Sequence, residues 1–333
     1  MSNSKSIKNT MKTLQTIYFP GYEFPTWSID TFDKNYSKLG KKVKVYYDDS
    51  PDIDIETIKI IVSQREPVNI AMKRFYDQDK MKSEFGWKTG YYGEYYDKHK
   101  TPAPNIAIYC QTPVNNTKTH VHIINSIGLA FDTVSQPDYK FFIKNEKNTK
   151  YIEQIYQYSI FPKIYQCAKD NKLKTVVMSL VGANNFAHLY QDEKEELSGI
   201  DDFQSNVWSK AFFNFINKNK SIKNIKTVFM GAENSIVLKT LEKMFTKSQL
   251  KSLFKIKNNK IIDIGYFPDN IQYIDIKDTL FVNAWDPWSF AGNGHQNDNS
   301  LDGYIGRNTA ICVLCSPITN KYLKLKKSYI KTP

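Results

Sequence analysis

The chain has 333 residues, with 46 Lys and Arg against 34 Asp and Glu, a formal net charge of +12, and 41% hydrophobic and 14% aromatic residues. That apolar content suffices for a large core and excludes wholesale disorder, while no run reaches the roughly 18 to 20 apolar residues that a membrane span needs. The opening MSNSKSIKNTMK has no apolar signal core, and Cys110, Cys167, Cys312 and Cys315 do not make a disulfide framework. Both features point to a reducing compartment, the cytoplasm of the producing cell or of a host.

The basic excess is almost entirely lysine, since only Arg65, Arg74 and Arg307 are arginines. Proteins that read DNA bases rely on the arginine fork for bidentate contacts to guanine, so the charge argues against sequence-specific nucleic-acid recognition. Non-specific attraction to phosphate remains as an alternative.

In chain order, residues 1–12 read as a disordered tail and 13–104 as an N-terminal region. It has helical patterning at 55–63 and 68–81 and an aromatic loop, FGWKTGYYGEYY, at 85–96. The prolines of TPAPN mark a boundary, because Pro disfavours helix at its own position and at the one before. From 105 to 333 the pattern becomes an α/β alternation. Strands are predicted at 105–110 (NIAIYC), 120–125 (HVHIIN), 174–181 (KTVVMSLV), 225–230 and 279–284 (TLFVNA). Helices are predicted at 148–172, divided or kinked by Pro162, at 201–218 and at 235–245. His120 and His122 point the same way from one strand, without the further ligands a metal site needs. Cys312 and Cys315, a C-x-x-C in the apolar run AICVLC, read as buried core for the same reason. No metal and no cofactor is expected.

The most unusual stretch is TLFVNAWDPWSFAGNGHQNDNSLDGYIGRN, residues 279–308. A strand ends in Asn283 and Asp286, a loop with Gly292, Asn293 and Gly294 follows, and Asp302-Gly303 opens an apolar segment containing Arg307. Ligands of open α/β sheets bind at the carboxyl ends of strands, where a glycine-bearing loop lets backbone N–H groups approach phosphate oxygens. The stretch is neither a Walker A loop nor a dinucleotide fingerprint. Asp286, Asp298 and Asp302 fall within 17 residues of one another. Opposed carboxylates can activate water and stabilise an oxocarbenium ion, although turn formation and helix capping would also use such residues.

VNAWD at 282–286 resembles the V-N-A-A-N strand end of macrodomains, the Gly292-Asn293-Gly294 loop their glycine-rich loop, and LDGYI at 301–305 their D-G-A-I helix start. SLVGANNFA at 179–187 and the strand and helix at 225–245 are similar to the second macrodomain loop and the elements after it. The form of these motifs is most similar to a divergent group that includes the Legionella effector removing ADP-ribose from an arginine of ubiquitin. Three departures stand out: Asp286 replaces the last Asn, the loop reads Gly-Asn-Gly, and the two halves occur in swapped chain order.

The resemblance implies a three-layer αβα domain with a mixed sheet in circularly permuted order, preceded by an N-terminal extension that recognises the protein substrate. It implies an ADP-ribosyl hydrolase cleaving an N-glycosidic bond on ADP-ribosylated protein, arginine-linked and on ubiquitin as the specific case, with ADP-ribose as product. Asn283 would hold the distal ribose, with Gly292, Asn293 and Gly294 lining that ribose and the adjacent phosphate, and Gly303 would belong to the same ADP-ribose-binding set. Asp302 would lead catalysis, with Asp298 or Asp286 as its partner. Gly182, Asn184 and Phe186 would supply the diphosphate loop. Arg307 would meet phosphate or orient a carboxylate, with a structural ion pair as the equal alternative, and Asp132 would contact adenine. The alternatives are a non-catalytic ADP-ribose reader and a basic nucleic-acid-binding protein.

Overall fold

The structure, a computed structural model, describes residues 17–19, 22–24, 38–48, 96, 100–102, 105–113, 120–144, 148–190, 199–265, 274–285 and 324–327. It is an α/β fold built on a mixed sheet. Six strands form the body of that sheet: β3 (Lys44–Tyr47), β4 (Ile106–Pro113), β5 (His120–Ile127), β6 (Thr175–Met178), β7 (Lys226–Phe229) and β10 (Thr279–Trp285). Their spatial order is β3-β4-β5-β10-β6-β7, and β11 (Lys324–Lys327) adds a seventh strand beside β3. Small antiparallel pairs form between β1 (Ile17–Phe19) and β2 (Tyr22–Phe24) and between β8 (Ile256–Lys257) and β9 (Lys260–Ile261).

β5, β10, β6 and β7 run parallel, β4 is antiparallel to both β3 and β5, and β11 is parallel to β3. The carboxyl ends of β3, β5, β10, β6 and β7 therefore share one edge of the sheet with the start of β4. β3 comes from the N-terminal region and pairs with Ile106–Tyr109, so the sheet draws on residues from both sides of the TPAPN run.

The strands are nearly continuous apolar runs, as expected of strands covered on both faces. One face packs Tyr46, Ala107, Tyr109, Ile124, Val176, Met178, Leu280 and Val282 into the helices, while Val45, Ile108, Ile123, Val177 and Phe281 on the other face are fully shielded too. The helical layer consists of α1 (Pro137–Phe142), α2 (Thr149–Ile155), α3 (Phe161–Asp170), α4 (Gly199–Asp202), α5 (Ser209–Lys218), α6 (Ile236–Met244) and α7 (Lys247–Leu253). The spacing of Phe203, Val207, Trp208, Ala211, Phe212 and Phe215 buries all six on one side. There Trp208 stacks on Phe212 with ring centres 5.3 Å apart and meets the edge of Phe161 at 5.0 Å.

Pro162 divides the long helix as expected. The chain passes from α2 through a π-helical turn (Tyr156–Ile160) into α3, where Pro162 occupies the first turn and needs no N–H partner. A second π turn (Phe203–Trp208) interrupts α4 and α5. Such turns insert one residue and re-aim the side chains around it. Among the described residues no helix is long and apolar enough to cross a membrane.

Candidate functional site

Two loops at the shared edge of the sheet are locked against each other. One follows β5 (residues 128–132) and the other follows β6 (179–190). Gly128 and Gly182 touch backbone to backbone, and Gly182 takes the left-handed conformation at φ +68°, open to glycine without strain. The Phe131 N–H donates to the Phe186 carbonyl at 2.5 Å, and the Leu189 N–H donates to the Phe131 carbonyl at 2.7 Å. Ser179 Oγ donates to the Val282 carbonyl at 2.8 Å, which ties the β6 loop to β10.

The two π turns support this platform from beneath. Tyr156 Oη accepts from the Leu129 N–H at 3.2 Å and lies against Gly182. Its complete burial pushes the phenol pKa up, so the hydroxyl stays protonated. Gln204 donates from Nε2 to the Ala183 carbonyl at 2.7 Å and to Asn184 Oδ1 at 3.2 Å. Its Oε1 accepts from the Ile236 N–H at 3.2 Å, at the start of α6. One buried amide thus couples the loop to the next helix.

Of the residues singled out in the sequence, Gly182, Asn184 and Phe186 lie together in the β6 loop, with Gly182 buried, Phe186 half-buried and Asn184 exposed. Asn283 is fully buried near the end of β10, in register with Asn125 of β5, and its Nδ2 donates to Asn125 Oδ1 at 2.8 Å. Asp132 accepts from Gln136 Nε2 at 2.8 Å just ahead of α1. Asp286, Gly292, Asn293, Gly294, Asp298, Asp302, Gly303 and Arg307 lie outside the described residues, as do Cys312 and Cys315, although β10 stops at Trp285, directly before Asp286.

Beside Gly128 opens a cavity of 260 Å³ lined on its apolar side by Leu129, Phe141, Phe142, Tyr151 and Ile155 and on its polar side by Asp48, Asn105, Asp138 and Ser159. Asp138 Oδ2 accepts from the Ala130 N–H at 2.9 Å, which fixes a carboxylate in the wall. Asp48 is held by the buried Lys163, whose Nζ lies 2.7 Å from Asp48 Oδ1 and donates to Ser159 Oγ at 2.7 Å and to the Ser159 carbonyl at 3.0 Å. Ser159 Oγ in turn donates to Asp48 Oδ2 at 2.6 Å. Burial lowers the Lys163 pKa, and the Asp48 carboxylate works against that shift. The cavity thus sets apolar walls beside a few polar groups that the protein itself already holds in place.

Native proteins leave few buried polar atoms without a partner. Three such atoms at this edge, Asn105 Oδ1, Ser126 Oγ and Asn283 Oδ1, belong to residues at the start of β4 and near the ends of β5 and β10. The others among the described residues, Gln136 Oε1, Gln157 Nε2 and Trp208 Nε1, belong to the helical side of the fold.

The sequence reading did not single out Gly128, Tyr156, Asn125, Gln204, Asp48 or Asp138. Asn125 had a legible signal, a polar amide closing the otherwise apolar HVHIIN run. Gln204 and Tyr156 had none, because π turns shift their direction away from the 3.6-residue period. At the opposite end of the sheet, Tyr109 Oη and His122 Nδ1 share a hydrogen bond of 2.7 Å, and Cys110 and Cys167 are buried free thiols. Among the described residues no cluster of His, Cys, Asp or Glu could hold a metal ion. No known protein-family profile matches the chain, and no curated protein sequence matches it.

Proposed function

We propose that the chain is an ADP-ribosyl hydrolase with a macrodomain-like, circularly permuted fold, acting on ADP-ribosylated protein, with arginine-linked ADP-ribose on ubiquitin as the specific substrate. The observation that carries this reading is the position of Asn283. It lies near the carboxyl end of a strand placed between β5 and β6, and its buried Oδ1 has no partner among the described residues. A ribose hydroxyl is a donor suited to that oxygen.

Other features support the same reading. A strand from late in the chain at the middle of the sheet is what a permuted connection requires. The β6 loop turns through Gly182 at positive φ and carries Asn184 and Phe186 outward at this end of the sheet, where the reading puts the diphosphate, and Asp132 in the neighbouring β5 loop is the residue assigned to adenine. Catalysis is assigned to Asp302, with Asp298 or Asp286 as its partner, activating water against the C1″–N bond while the donors around the diphosphate stay preorganised. The net charge of +12 adds a field that favours an anionic ligand.

The test is release of free ADP-ribose from arginine-ADP-ribosylated ubiquitin. Turnover that disappears in Asp302→Ala, with ADP-ribose binding retained, supports the hydrolase. Tight binding with intact substrate in the wild type makes the protein a reader, and no thermal shift with millimolar ADP-ribose removes both readings. A ligand at 100 times its Kd adds about 2.7 kcal/mol of stability.

A further inference from the structure

We infer that Asn125 is a positioning residue, the middle member of a chain of amides that points Asn283 Oδ1 at a ligand hydroxyl. The inference rests on the ADP-ribose reading above. Three groups on three adjacent strands are in line. Asn125 Nδ2 donates to the Ile108 carbonyl of β4 at 3.3 Å, Asn125 Oδ1 accepts from Asn283 Nδ2 at 2.8 Å, and Asn283 Oδ1 is buried with no partner among the described residues. Ile108 and Asn125 are register partners, as are Asn125 and Asn283, so the backbone ladder fixes the line.

The order of donors and acceptors has one solution. A backbone carbonyl can only accept, so the Asn125 group that meets Ile108 is its NH2. Asn125 must then turn its oxygen toward Asn283, which must offer its NH2 in return. The oxygen of Asn283 is thereby directed away from β5. An amide with no such neighbour could present either its oxygen or its nitrogen, and the wrong choice would set a donor where an acceptor is wanted. Asn125 removes that choice without touching the ligand. It also selects the ligand chemistry, because Asn283 Oδ1 can recognise only a donor such as a ribose hydroxyl and not an unprotonated phosphate oxygen.

The experiment is calorimetric binding of ADP-ribose and of ADP, which lacks the second ribose, to the full chain and its variants. In the wild type ADP-ribose should bind more tightly than ADP. Asn125→Leu should weaken ADP-ribose about tenfold or more and leave ADP within about twofold, because only the contact to the second ribose loses its orientation. Asn283→Ala should show the same selective loss, and the double variant no further loss, as expected of residues acting through one contact. Should Asn125→Leu fail to fold, Asn125→Ser, too short to reach Asn283, takes its place. Equal weakening of both ligands would show general damage and overturn the inference, as would unchanged preference for ADP-ribose. A wild type that binds neither ligand, or binds both equally, would instead defeat the ADP-ribose reading itself.

Discussion

Gly128 and Gly182 meet with no room for a side chain between them: a Cβ built on Gly128 would stand 2.5 Å from the Gly182 nitrogen, and one on Gly182 would stand 2.8 Å from the Gly128 Cα. Cβ atoms do not come this close to main chain, so the two loops depend on glycine at both positions. Gly182→Ala adds strain at φ +68° and a collision with Tyr156 Oη. We expect a loss of about 2 to 4 kcal/mol in urea unfolding, from overpacking and the positive φ together. Tyr156→Phe in the same chain should recover only part of it, because the Gly128 backbone remains in the way. Unfolding of Gly182→Ala at the wild-type midpoint would show that the loops can part freely.

Gln204 supplies three hydrogen bonds with one side chain, and its removal leaves the Ala183 carbonyl without that donor. Gln204→Leu, of similar volume, should cost about 1 to 3 kcal/mol, the usual range for a buried group stripped of its partner. ADP-ribose affinity should fall further than that of an Asn217→Ala control, which alters only an exposed contact to Gln249. Matched calorimetric titrations decide the comparison.

Lys163 and Asp48 form an asymmetric pair, the lysine side chain fully enclosed and the aspartate side chain 40% exposed. Removing a partner from a buried charge costs more than removing one from a charge that water can reach. Asp48→Asn should therefore destabilise by about 3 kcal/mol or more, and Lys163→Met by appreciably less. Chemical denaturation of both variants tests the order, and the reverse order would mean that Asp48 is the more sequestered charge.

His122 sets an acid limit on stability. Burial, with His120, Lys42 and Lys44 adding positive charge nearby, holds its pKa down at about 4, below the usual value of 6.5. The unfolded chain then binds the proton more readily. The contribution is fully present above about pH 6.5 and is lost as pH falls through 6.5 toward 4. The ring is partly exposed, so we expect on the order of 1 to 2 kcal/mol from this group. His122→Gln should flatten the pH dependence of the urea midpoint between pH 6.5 and 4, and an unchanged slope would assign the acid limb to other groups.

The elements most legible in the sequence were those with one consistent period. The HVHIIN and TLFVNA runs became β5 and β10, the first half of KTVVMSLV became β6, and the broad apolar face of 201–218 became the second π turn and α5. The strand at Lys44–Tyr47 was hidden because its apolar run is only three residues long, Val45 to Tyr47, and follows Lys41, Lys42 and Lys44. The strand at Lys324–Lys327 was lost in a lysine-rich tail for the same reason, since an edge strand needs no apolar signature of its own. α7 was missed although Thr246 and Gln249 form a capping box readable as T-x-x-Q. At the site, motif residues such as Gly182 and Asn283 were visible as types in a pattern. Their supports were not, because Tyr156, Gln204 and Asn125 act across distances of tens to more than a hundred residues in sequence.

The position of β10 has a consequence for how the protein is made. Its neighbours β5 and β6 are synthesised about 100 to 160 residues earlier, and neither pairs with the other. Until residue 285 has left the ribosome, both must wait with open edges, surfaces that invite pairing with another chain. Contacts this distant along the chain also close slowly. The nascent protein should therefore depend on holding chaperones during most of its translation, and ribosome-bound chains stalled before residue 279 should be cleaved readily by protease while those stalled some 40 residues beyond 285 are not.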